Sequence, residues 1–85
     1  MQKAFRANRR SPKANSPIDR HIGARIRALR RADGMTQAEL GIKLGVSVTQ
    51  VQKYENGTDR VSAARLFTIA HTFGIAITEL FEGFG

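Results

Sequence analysis

The side chains able to attack, titrate or ligate are few in this chain, and they are not grouped. There is no cysteine, and the two histidines, His21 and His71, stand far apart in sequence. Neither the thiolates nor the clustered ligand spacing of a zinc site is therefore on offer. No nucleophile, base and orienting group can be assembled from the residues present. The sequence predicts a protein that is not an enzyme and that needs neither metal nor cofactor.

What the chain does carry is positive charge. Fourteen Lys and Arg oppose seven Asp and Glu, a formal charge of +7. The surplus is uneven, because Lys3, Arg6, Arg9, Arg10 and Lys13 fall within residues 1–17 with no acid among them. The remainder of the chain is close to neutral. A basic arm of this kind neutralises phosphates, although the same composition also describes a solvated tail. Residues 1–17 show no sustained apolar period and include Pro12, Asn8 and Asn15, so the expected organisation is a flexible basic arm over 1–17 and one folded domain over 18–85.

Eighty-five residues suffice for a single small domain. A domain of that size buries only about 60% of the surface of its unfolded chain, which leaves little depth for a catalytic cleft. No apolar run approaches the roughly 20 residues that span a bilayer, and the basic start lacks the apolar stretch of a secretory signal. A soluble, cytoplasmic protein with no membrane association is expected.

Four times along the chain a hydroxyl residue opens a helical pattern that a glycine closes. Ser16 precedes Pro17 and has Asp19 three residues on; Thr36 has Glu39; Ser47 has Gln50; Ser62 opens the last. Gly34, Gly45, Gly57 and Gly74 are the stops. A hydroxyl cap, a first-turn acceptor and a terminal glycine are the start and stop chemistry of a helix. Ile18, Ile22, Ile26 and Leu29 form one apolar stripe, with Arg20, Arg25, Arg27 and Arg31 pointing elsewhere. A last turn from about Ala76 to Glu82 returns Leu80 and Phe81 to the bundle, and Leu66, Phe67, Ile69 and Phe73 are read as core. The expected fold is all-α: five short helices around one core, each too short to persist without packing on the others.

The second and third helices are joined by a short glycine-containing turn. Two helices crossing steeply need a small residue at their closest approach and a residue free to take positive φ at the turn, places that Gly41 and Gly45 fill. Leu40, Leu44, Val46, Val51 and Tyr54 then face inward. Glu39, Lys43, Thr49, Gln50, Gln52 and Lys53 face outward.

With Thr36-Gln37-Ala38-Glu39-Leu40, Leu44-Gly45-Val46-Ser47 and Tyr54-Glu55-Asn56-Gly57, followed by Leu66 and the segment from Ala70 to Leu80, the chain resembles the lambda-repressor-like helix-turn-helix domains, the Xre and Cro family. Residues 51–58, with Arg60 and Arg65, further resemble short regulators of alphaproteobacteria. The resemblance implies sequence-specific binding of double-stranded DNA by a transcriptional regulator, a repressor in the first instance, with the helix at about 47–55 in the major groove.

On that resemblance Ser47, Val48, Thr49, Gln52 and Lys53 meet base edges. Lys53 would reach guanine acceptors or a phosphate, Gln52 an adenine, and Val48 and the Thr49 methyl a thymine methyl. Gln37, Gln50, Asn56, Thr58 and Arg60 would contact phosphates, unless Arg60 pairs with Asp59 or stands free. Arg30 and Glu55 form a structural ion pair in the family pattern. The competing reading of the outward residues is a solvated polar face. Val48 and Thr49 replace the glutamines or arginines often found at the start of this helix, which shifts readout toward Lys53, Gln52, DNA shape and the arm.

One such helix touches few base pairs, so a homodimer on a two-fold site is implied, its contacts lying around the fourth helix and the Phe81 to Phe84 end. The alternative is an antitoxin-type module whose main partner is a protein and whose DNA binding is autoregulatory. Few exposed aromatics are expected, which disfavours single-stranded nucleic acid.

Overall fold

Each helix begins where a hydroxyl side chain can satisfy backbone N–H groups that have no partner inside the helix. In the computed structural model, which describes residues 14–85, Ser16 caps α1 (Pro17–Ala32), Thr36 caps α2 (Gln37–Leu44), Ser47 caps α3 (Val48–Asn56) and Ser62 caps α4 (Ala63–Phe73). At the first two caps Asp19 and Glu39 return a bond to the cap residue's own N–H, which completes the capping box. Gly45, Gly57 and Gly74 end α2, α3 and α4 in the left-handed conformation. The described residues contain no strand.

The core is built from one stripe of each helix: Ile22 and Ile26 of α1, Leu40 and Leu44 of α2, Val51 of α3, and Leu66 and Ile69 of α4, closed by Leu80. α1 packs on α3, α2 on α3, and the terminal turn on both α1 and α4. Two glycines permit this. A Cβ on Gly41 would lie 2.7 Å from the Val46 carbonyl oxygen, so α2 and the following turn can meet only at a glycine. A Cβ on Gly23 would collide with the carbonyl oxygens of Tyr54 and Glu55, which makes Gly23 the point where α1 lies against α3. Gly41 and Gly45 thus stand where the turn requires them; the part played by Gly23 was not among the expectations.

Three expectations need revision. The fifth helix is a 3-10 turn, Ile77–Phe81, only five residues long. So short a segment between Gly74 and Gly83 favours the tighter i→i+3 ladder. Leu80 is fully buried as expected, but Phe81 remains 38% exposed. Phe67 is not core at all: it is 66% exposed, because Leu66, Ile69 and Ala70 already occupy the inward stripe of α4. Its ring instead lies parallel to His71 one turn on, centroids 6.3 Å apart. Lys3, Arg6, Arg9, Arg10 and Lys13 lie outside the described residues.

Candidate nucleic-acid interface

α3 has an inner and an outer face. Val51 and Glu55 are buried and Tyr54 is half-buried, which fixes the helix from within and leaves Val48, Thr49, Gln52 and Lys53 exposed on the other side. Ser47, exposed at the start, uses its Oγ to accept the Gln50 N–H at 3.0 Å, so its hydroxyl proton is what it can offer outward. Among the described residues Lys53 has no ion-pair partner. Gln52 reaches Gln37, its Nε2 donating to Oε1 at 3.4 Å, so the outer face of α3 and the first residue of α2 form one continuous polar surface.

Behind that surface sits Glu55. Arg30 donates to it twice, Nε to Oε2 at 2.6 Å and Nη2 to Oε1 at 3.1 Å, and also reaches the Met35 carbonyl at 2.8 Å. Gln37 Nε2 donates to Oε1 at 2.9 Å, and Arg27 Nε approaches the same oxygen at 3.4 Å. The expected Arg30–Glu55 pairing is thus seen, inside a larger network than the family pattern implied. Burial alone would raise the Glu55 pKa. The hydrogen bonds from Arg30, Gln37 and Arg27 outweigh it, and the carboxyl lies below its ordinary value.

The other expected phosphate contacts are also held by neighbours. Gln50 Nε2 donates to Asp59 at 3.0 Å, Asn56 Oδ1 accepts from Arg27 Nη2 at 3.0 Å, and the Thr58 hydroxyl donates to the Lys53 carbonyl at 3.2 Å. Arg60 neither pairs with Asp59 nor stands free, the two alternatives to a phosphate contact raised from sequence. Its Nε and Nη2 bind the two oxygens of Asp19, at 3.1 and 2.9 Å, while Asp59 is taken by Gln50. Asp19 is buried and also serves the α1 cap, so a bidentate guanidinium is the partner it requires. The Arg60 hydrogen bond holds its carboxyl well below the usual range, against the opposing effect of burial, with Ser16 adding to it.

Arg27 and Asp19 are the residues the sequence reading passed over. Asp19 was recognised as a cap but not as an ion-pair partner 41 residues from Arg60. A signal existed for Arg27, which lies three residues before Arg30 on α1 and so shares its side of the helix. The far end of the chain is fastened to α1 as well: His21 Nε2 lies 2.7 Å from the Glu82 carbonyl oxygen, and Arg25 Nε donates to that of Glu79 at 3.1 Å.

This arrangement of two short helices and an outward polar face has close parallels. An uncharacterized HTH-type transcriptional regulator of Sinorhizobium medicae is 44% identical over 75 residues, 88% of this chain and 52% of its own. The chain spans about half the length of the first curated relatives it matches. The clp gene regulator ClgR of C. glutamicum superposes with a TM-score of 0.72 at 25% identity, covering 79% of this chain and 87% of that one. The restriction-modification controller protein C.AhdI of Aeromonas hydrophila does so with a TM-score of 0.69 at 32% identity, covering 73% and 94%. A weaker similarity, 32% over 59 residues, 69% of this chain and 37% of the other, links it to the antitoxin PezA of Streptococcus pneumoniae. The helix-turn-helix family model HTH_3 matches residues 26–80, from the middle of α1 through the buried Leu80, and the chain belongs to that family.

Proposed function

We propose that this chain binds double-stranded DNA sequence-specifically, as the DNA-binding part of a transcriptional regulator acting chiefly as a repressor. The observation that carries the reading is the outer face of α3, where Val48, Thr49, Gln52 and Lys53 are exposed on a helix whose inner face is locked by Val51 and Glu55. A rigid helix with a short polar face is what major-groove recognition requires. Ser47, Val48, Thr49, Gln52 and Lys53 read base edges. Gln37, Gln50, Asn56, Thr58 and Arg60, the last anchored by Asp19, set the register on the phosphates. No catalytic role is assigned to any residue.

The DNA-bound form is a homodimer, since one nine-residue helix covers too few base pairs for specific affinity at physiological salt. No helix among the described residues is long and apolar enough to cross a membrane, which fits a protein working beside the chromosome in the cytoplasm.

Selection of bound duplexes from a random pool tests the whole reading. Enrichment of a two-fold symmetric site with half-sites about 34 Å apart is expected, and failure to enrich any sequence would refute it. Lys53→Ala should then cost about 1–3 kcal/mol on the enriched duplex and change the preference at one base position. Equal losses on enriched and scrambled duplexes would move Lys53 to the phosphate contacts. The PezA similarity supports a second reading, an antitoxin whose principal partner is a protein. Co-expression with the product of an adjacent small reading frame separates the two, because only the antitoxin reading expects a stable complex.

A further inference from the structure

Glu55 is offered more positive charge than one carboxylate can neutralise. Arg30 alone satisfies it with two hydrogen bonds, and only 10% of the Arg30 side chain is exposed. Arg27 then adds a second full charge at a greater distance, 3.4 Å, with 39% of its side chain exposed. The local balance is two cations against one anion. Arg27 is therefore the member whose charge is left over, and it is the one facing water.

Its position is defined. Nη2 is held by the Asn56 Oδ1 at 3.0 Å and Nε points at Glu55 Oε1, the oxygen that also accepts from Gln37 at the start of α2. Among the described residues Nη1 has no hydrogen-bond partner. A planar guanidinium fixed along one edge and open along the other is suited to an oxyanion, and to phosphate above all. Asn56 and Gln37, which flank it, are two of the five residues proposed above to meet the DNA backbone.

We infer that Arg27 contacts a backbone phosphate of duplex DNA, an additional electrostatic anchor set on α1 rather than on the helix-turn-helix. The inference rests on the DNA-binding reading above and adds to it a residue outside α2 and α3. Because Arg27 would touch phosphate and no base, it contributes affinity without sequence preference.

Arg27→Gln tests this on the pool-enriched duplex and on a scrambled duplex of the same length, each titrated at several salt concentrations. The expected result is an equal loss on both, a salt slope shallower by about 0.9 for each half-site engaged, and a melting temperature lowered by a few degrees at most, since the Arg27–Glu55 pair is the longer and more exposed of the two. Arg27→Lys, which keeps the charge, should keep the slope. A scan of single methylphosphonate substitutions along the enriched duplex adds a readout that a merely structural role would not move: one neutralised position per half-site should weaken the wild type and leave Arg27→Gln unaffected. Arg27→Met, with an unbranched stem, repeats the measurement should Arg27→Gln fold poorly. A wild-type slope in the neutral variants, or equal sensitivity of variant and wild type at every methylphosphonate position, overturns the assignment. A wild-type protein that enriches no duplex overturns the DNA-binding reading and this inference together, whereas failure confined to the Arg27 variants leaves that reading standing.

Discussion

Glu55 is a single buried carboxylate on which α1, α2 and α3 all converge, through Arg27 and Arg30, Gln37 and its own backbone. Removing it would strand Arg30, which is itself buried, without a counter-charge. Glu55→Ala should therefore destabilise the domain by about 3–5 kcal/mol, read as a lower melting temperature. If the variant melted like the wild type and yet bound no DNA, Glu55 would be a contact residue and not a structural one. The same chemistry predicts an acid limit. Asp19 and Glu55 both have folded-state pKa values below their ordinary ones, so their contribution is complete at neutral pH and is lost as pH falls through the folded values. Stability should decline below about pH 4, and the decline should be shallower in Asp19→Asn, measured by denaturant melts across that range.

Among the elements, the contact between α1 and α3 turns on Gly23. Alanine normally favours a helix interior over glycine by about 1 kcal/mol. Here the added methyl meets the Tyr54 and Glu55 carbonyls, which belong to the backbone and cannot swing aside. Overpacking of that kind costs about 1–3 kcal/mol, so the net effect of Gly23→Ala should be a lower denaturant midpoint. A midpoint at or above the wild-type value would show that the two helices can separate without loss.

How much of this was legible in the sequence follows from how local each interaction is. The four hydroxyl caps, the glycine stops and the Gly41–Gly45 turn depend on residues within four positions of one another, and all could be read directly. The Arg30–Glu55 pairing spans 25 residues and came only through family resemblance. Arg60 went astray because its true partner, Asp19, is brought near by tertiary packing, whereas Asp59 was merely adjacent in sequence. Phe67 went astray because α4 carries more apolar residues than its inward stripe can hold, and composition does not say which is left outside. The four outward residues of α3 and its cap Ser47 were found by period and resemblance together, yet the bonds linking Gln52 to Gln37 and Gln37 to Glu55 are matters of side-chain reach, which period does not encode.

For the molecule as a whole, charge is distributed by sequence position as well as by surface. Five of the fourteen bases stand in residues 1–17 without a single acid. If they follow the duplex once the domain has docked, each engaged phosphate adds about 0.9 to the slope of log affinity against log salt. A protein beginning at Ala14 should keep its melting temperature, since the α1 cap starts at Ser16, and should bind more weakly with a flatter salt dependence. Identical slopes for the two proteins would make the basic segment a bystander.

The fastening of the last turn to α1 bears on how the domain can be rearranged. His21 sits in the second turn of α1, its ring 5.3 Å from that of Phe84, while Ser16 lies about 7.5 Å further back along the helix axis at 1.5 Å per residue. Residues 16 and 83 are therefore close enough for a short glycine-rich bridge. The order of the helices along the chain could then be permuted, with new termini opened at the exposed Gly34 between α1 and α2, leaving the α2–α3 pair uninterrupted. In such a permutant α1 becomes the last helix, and any module fused to the new ends would emerge at the α1–α2 loop.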